Sequence, residues 1–86
     1  MFEVVWERSA LDELAAIWVA AAVDDRGLLT AAADAIDPAL AASPDDVGES
    51  RPDGTRVHFE WPLGIRFDVD HPNQTVRVLQ VWRVRG

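Results

Sequence analysis

The residues able to do chemistry are few. His58 and His71 are the only imidazoles, all eight basic residues are Arg, and the chain has no Cys, Lys or Tyr. Without Cys there is no disulfide framework, thiolate metal site or thiol nucleophile. Arg offers a fixed positive charge and is a poor proton donor or acceptor, so His58 alone can shuttle a proton near neutral pH. A lone strand His facing an Asp is more often structural. Asp68-Val69-Asp70-His71 puts two carboxylates on one strand face with His58 across a hairpin, a pattern that raises a divalent metal. Arg56 and Arg77 on the same face make it a poor one, because cations beside a carboxylate pair oppose a second cation. No metal and no cofactor is therefore expected.

The elements that hold these residues must come from one domain spanning residues 1–86, since a chain this short has no room for a second core. With 49% hydrophobic residues and four Trp, the core needs no staple. The opening Met1-Phe2-Glu3-Val4-Val5-Trp6 has neither a basic nor an apolar leader region, and no apolar run reaches membrane-spanning length. A cytoplasmic protein with no membrane partner is expected. Net charge is −7, with eleven Asp/Glu against two Arg in residues 1–50 and six Arg against four acids in residues 51–86. The acidic whole repels nucleic acid at long range, while the C-terminal part keeps a local basic surface.

Phe2, Val4 and Trp6 alternate with Glu3, Val5 and Glu7, the period of a half-buried strand. Ser9 and Asp12 have capping-box spacing for a first helix, whose Leu11, Leu14, Ala15, Trp18 and Ala22 share one face. Asp24-Asp25-Arg26-Gly27 breaks the pattern, and a second helix over 28–42 carries Leu29, Ala33, Ile36 and Leu40 on its buried stripe, with a kink at Pro38. The short connection predicts antiparallel helices. A long loop over 43–55 precedes three strands read from Val57-Phe59-Trp61, Ile65-Phe67-Val69 and Val76-Val78-(Gln80)-Trp82. The fold class is α+β, an N-terminal strand and helical hairpin followed by a three-stranded antiparallel meander.

Placing those apolar residues on one face fixes the register, because a one-residue slip turns a whole strand over. A three-residue loop Pro62-Leu63-Gly64 then sets Arg56 opposite Asp70, His58 opposite Asp68 and Glu60 opposite Arg66. The next hairpin takes the four-residue loop His71-Pro72-Asn73-Gln74, with Val69 opposite Val76, Phe67 opposite Val78 and Asp68 opposite Arg77. Trp18, Ile36, Phe59 and Phe67 are expected to be buried together, with the four Trp in the core. Leu79 and Val81 fall on the polar face and require cover from a loop, a sheet twist or a partner chain.

This order of elements resembles that of the RelE/ParE toxin superfamily of type II toxin–antitoxin systems. Val4-Val5-Trp6 followed by an Ala-Leu-x-x-Leu helix resembles its start, and Gly64-Ile65-Arg66-Phe67-Asp68-Val69-Asp70 resembles its third-strand pattern Arg-Val-x-Tyr-x-Val-Asp. Val76-Arg77-Val78-Leu79-Gln80-Val81-Trp82-Arg83 resembles its final strand. The resemblance implies a toxin neutralised by a cognate antitoxin and acting on ribosome-bound mRNA or on a protein target. For the ribonuclease branch it implies a Lys, Arg and Tyr or His cluster, yet the Arg position is Gly64 and the Tyr position is Phe67. Arg83, with Arg56, Arg85 and His58, is what is left to cleave RNA, a reaction that needs a base, an acid and cationic stabilisation. The uncovered Leu79 and Val81, with Arg77 and Arg85, are the expected partner-binding residues, and the resemblance makes an antitoxin the partner that covers them; a homodimer is a further option. The competing expectation is a non-catalytic protein-interaction module that keeps the fold.

Overall fold

The computed structural model describes residues 1–85. Strand β1 (Glu3–Trp6) leads into helices α1 (Arg8–Ala20) and α2 (Val23–Ala42), a 3-10 turn (Pro44–Asp46), a short strand β2 (Glu49–Ser50), and strands β3 (Arg56–Glu60), β4 (Leu63–Asp70) and β5 (Thr75–Arg83). The five strands form one sheet in the order β1-β5-β4-β3-β2, with β1 parallel to β5 and every other pair antiparallel. The α+β class and element order agree with the sequence reading, and β2 adds an edge strand inside the expected loop.

The helix boundaries differ from the expected ones. Glu7 occupies the N-cap of α1 without a side-chain cap. Ser9 lies inside the helix, where its hydroxyl donates to the Leu79 carbonyl at 3.4 Å instead of capping. The break between helices falls at the extended residues Ala21 and Ala22, so Asp24 and Asp25 become the first turn of α2. Carboxylates there face the unpaired amides and positive end of the helix, which stabilises that start. α2 runs unbroken past Pro38 to Ala42.

The larger difference is the register of β3. It pairs Arg56 with Phe67, His58 with Ile65 and Glu60 with Leu63, through a two-residue turn at Trp61-Pro62 whose peptide is cis. The expected partners Asp70, Asp68 and Arg66 are each displaced by three positions, an odd number, so β3 is turned over. Arg56, His58 and Glu60 lie on the helix side, and Val57 and Phe59 lie on the outer side. The sequence reading gave β4 an apolar period starting at Ile65; the strand starts at Leu63, which is fully buried with Ile65 and Phe67. The second hairpin has the predicted register from Asp68–Arg77 to Val69–Val76.

A bulge then interrupts β5. Phe67 pairs with Val78 and Arg66 with Gln80, leaving Leu79 without a partner. An extra residue reverses the facing of everything beyond it. Val81 accordingly turns into the core, 3% exposed, and Trp82 turns outward. The core joins Ala10, Leu29, Ala32, Ile36 and Leu40 of the helices to Leu63, Ile65, Phe67, Val76, Val78 and Val81 of the sheet. Each large side chain buried there stabilises the fold by roughly 1.5–3 kcal/mol. Ile36 and Phe67 belong to this core as expected, whereas Trp18 and Phe59 are 41% and 57% exposed. None of the four Trp is fully buried.

Candidate functional site

Residues opposite one another in an antiparallel pair share a face. The helix side of the sheet thus carries the row Arg56, Phe67, Val78, then His58, Ile65, Val81, then Glu60, Leu63, Arg83. Arg56, His58 and Arg83 are brought to one face, with Glu60 and Arg83 two strand spacings apart, about 10 Å. Each is already engaged. The Arg56 guanidinium donates to the Val47 and Gly48 carbonyls, both at 3.0 Å, and so pins the loop ahead of β2. Gly48, at φ +71°, lies so close to the Val57 carbonyl that a Cβ would overlap it. His58 Nε2 meets Glu60 at 3.4 Å, and Arg83 donates to Asp25 of α2 at 3.1 Å.

The outer side carries Phe59, Gly64 and Trp82 in one row and Val57, Arg66 and Gln80 in the next. Phe59 and Trp82 stack edge to face at 6.1 Å between centroids. The Trp82 indole lies directly over Gly64, where a Cβ would come within 2.5 Å of the ring. A side chain at position 64 would therefore have to displace the indole. Arg66 donates to Gln80 at 2.9 Å, to Thr55 at 3.0 Å and to Asp53 at 3.4 Å. Hydrogen bonds from the Thr55 hydroxyl and amide hold Asp53 below its ordinary pKa. Arg77 forms a two-pronged bond to Asp68, at 2.8 and 3.1 Å, which raises its pKa above the usual guanidinium value. Asp70 accepts from the Asn73 side chain and amide, which lower its pKa.

The proposed metal-type residues are thus dispersed among other partners, with His71 on Asp45 at 2.8 Å. Among the described residues no three His, Asp or Glu converge as a metal site. No helix among them is long and apolar enough to cross a membrane. Of the expected partner-binding residues, Val81 must be withdrawn, because the bulge buries it and its amide donates to Glu13 at 3.0 Å. Leu79 is half-buried at the bulge, Arg77 is exposed on the outer side, and exposed Arg85 lines a small hollow with Arg83, Ala16, Ile17 and Ala20.

An apolar concavity lies elsewhere, between the two helices. A groove of about 380 Å³ is lined by Leu11, Leu14, Trp18, Val19, Leu29 and Ala33, with Asp34 at its edge. Arg26 holds one of its walls in place: its guanidinium sits 4.2 Å from the Trp18 ring centroid and donates to the Trp18 and Val19 carbonyls. That contact satisfies the C-terminal carbonyls of α1 and fixes the Trp18 indole. The sequence signal for this groove was the breadth of the α1 stripe. Ala10, Leu11, Leu14, Ala15, Ile17, Trp18 and Val19 cover more of the helix than one sheet can bury.

No protein-family model and no curated protein matches the sequence. Among solved structures, a chain of the toxin–antitoxin complex RelBE2 from Mycobacterium tuberculosis aligns with a TM-score of 0.77 and 20% identity, covering 95% of this chain and 90% of that one. A chain of the chromosomal ParDE toxin–antitoxin system from P. aeruginosa aligns with a TM-score of 0.76 and 22% identity, covering 99% and 98%. These likenesses extend over the sheet and both helices, and the chain therefore has the RelE/ParE-like fold.

Proposed function

We propose that the chain is the toxin of a toxin–antitoxin pair and that it acts by binding a protein target rather than by cutting RNA. The first half is supported by the near-complete fold likeness to chains of two toxin–antitoxin systems. The second half rests on one observation. Arg56, His58 and Arg83, the side chains available for RNA cleavage, are bound to backbone carbonyls, Glu60 and Asp25. An Arg tied to a carboxylate has its charge offset where a phosphorane would need it, and no Lys or Tyr stands by to complete the acid–base set. The same engaged arginines favour the interaction module as the second reading.

The test is a primer-extension assay of mRNA on translating ribosomes with purified wild type and an Arg56→Ala/Arg83→Ala variant. The proposal predicts no cuts with either protein. Wild-type cuts lost in a folded double variant would make the chain a ribonuclease.

A further inference from the structure

We propose that the outer face of the sheet, which carries Phe59, Trp82 and, in the turn after β3, Trp61, joins two copies of this chain back to back in a symmetric dimer. Phe59 and Trp61 are 57% and 59% exposed, so large aromatic side chains stand in water on the side of the sheet away from the helices. Exposed apolar surface of this kind marks an interaction site, and aromatic residues concentrate at the centre of interfaces. The cluster is also held in place. Trp82 rests on Gly64, Phe59 packs edge to face against it at 6.1 Å, and the Val84 amide donates to the Pro62 carbonyl at 2.8 Å in the turn that carries Trp61. Little side-chain freedom is then lost on docking.

Charge selects the occupant. The arginines around this face find carboxylates within the chain: Arg66 meets Asp53 at 3.4 Å, Arg51 meets Glu49 at 3.3 Å, and Arg77 meets Asp68 at 2.8 Å. With these charges offset, the face neither attracts a strongly charged partner nor repels its own copy. The surplus of negative charge lies on the other side, where α1 and α2 hold six Asp/Glu against two Arg. Two copies packed sheet to sheet keep their hairpins roughly 30 Å apart, taking each packed layer as about 10 Å, which is about three screening lengths at 0.1 M salt. Approach through the hairpins instead sets like charge against like charge. A twofold axis at the aromatic cluster lets one apolar surface serve both copies. Phe59 and Trp61 leave roughly 250 Å² of side-chain surface to bury on each copy, against about 800 Å² per partner in a standard interface. The dimer is therefore weak, with a Kd of about 10–100 µM.

Sedimentation equilibrium of the purified full chain, from about 1 to 500 µM, reads the assembly directly. A monomer–dimer equilibrium is expected, with Trp emission shifting to the blue as the dimer forms because Trp61 leaves water. Phe59→Ser and Trp61→Glu, each shown to be folded by circular dichroism, should weaken it at least about tenfold. Val19→Glu, on the hairpin, should leave the affinity within about twofold, and raised salt should leave it unchanged or strengthen it, because each copy carries a net charge of −7. A monomer at every concentration, an unshifted spectrum, wild-type affinity in either folded outer-face variant, dissociation by Val19→Glu, or a dimer weakened by salt would each overturn the proposal. If the chain stays monomeric and folded Trp61→Glu abolishes growth arrest, the face belongs to a different protein and the proposal also fails. Dimerisation is read in solution and growth arrest in cells, so the dimer and the toxin reading can each fail alone.

Discussion

Gly64 shows how one missing side chain organises its surroundings. The Trp82 indole occupies the space above it and Phe59 closes against the indole from the neighbouring strand. Gly64→Ala forces the ring aside and should cost about 1–3 kcal/mol in chemical denaturation. In a Trp82→Ala background that cost should largely vanish, because the space is then empty; equal costs in both backgrounds would contradict the contact. Sequence alone could match Gly64 to a motif position but could not say what lay over it, since the facing of Trp82 depends on the bulge at Leu79. Asp53 and Asp70 carry a second residue-scale expectation. Their hydrogen bonds to Thr55 and Asn73 put the folded pKa below the ordinary 3.8 of the unfolded chain. Their stabilisation is therefore present above that value and is lost as pH falls through the lower, folded one. Wild-type stability should decline below about pH 4, and Asp53→Asn/Asp70→Asn should flatten part of the decline. An acid limb unchanged by the double variant would show that other carboxylates govern it.

At the scale of elements, β3 is the strand whose pattern misleads. Val57, Phe59 and Trp61 alternate as a buried face would, yet they lie outside the helix-covered side: Val57 is buried there, 6% exposed, whereas Phe59 and Trp61 are 57% and 59% exposed. Alternation fixes which residues share a face, and it does not fix which face is covered. That choice was made by β4, where Leu63 extends the buried period of Ile65 and Phe67. Phe67→Ala should therefore cost about 3–5 kcal/mol, and Phe59→Ala clearly less, about 1 kcal/mol, in the same denaturation assay. Equal losses would mean that β3 faces the helices after all. The hairpin from Val69 to Val76 is legible because Phe67 and Val69 before the loop and Val76 and Val78 after it keep one alternating period, and the loop between them holds no large apolar residue. Gln80, polar at an apolar position, was the trace of the bulge. The break between the helices was misplaced because Ala21 and Ala22 carry no composition signal, while the acidic pair after them belongs equally well to a loop or a first turn.

Taken whole, the molecule separates its charges by layer. The helical hairpin is acidic and holds the apolar groove, whereas the sheet holds four of the eight arginines, Arg56, Arg66, Arg77 and Arg83, and ties them to carboxylates, side-chain oxygens or backbone carbonyls. Element order and fold class were readable because they follow from periodicity; the candidate site was readable only as residue types. Which arginines are free depends on contacts between residues as far apart as Asp25 and Arg83. A surface with an open apolar groove and few unoccupied cations suits a protein partner better than a phosphate backbone. The proposed function makes the chain a toxin that acts without RNA cleavage. Its most direct test is to induce the folded, soluble chain alone in bacteria while following growth and the integrity of translated mRNA together. The expected result is growth arrest with intact mRNA. Undiminished growth, or arrest accompanied by cuts within translated messages, would contradict it.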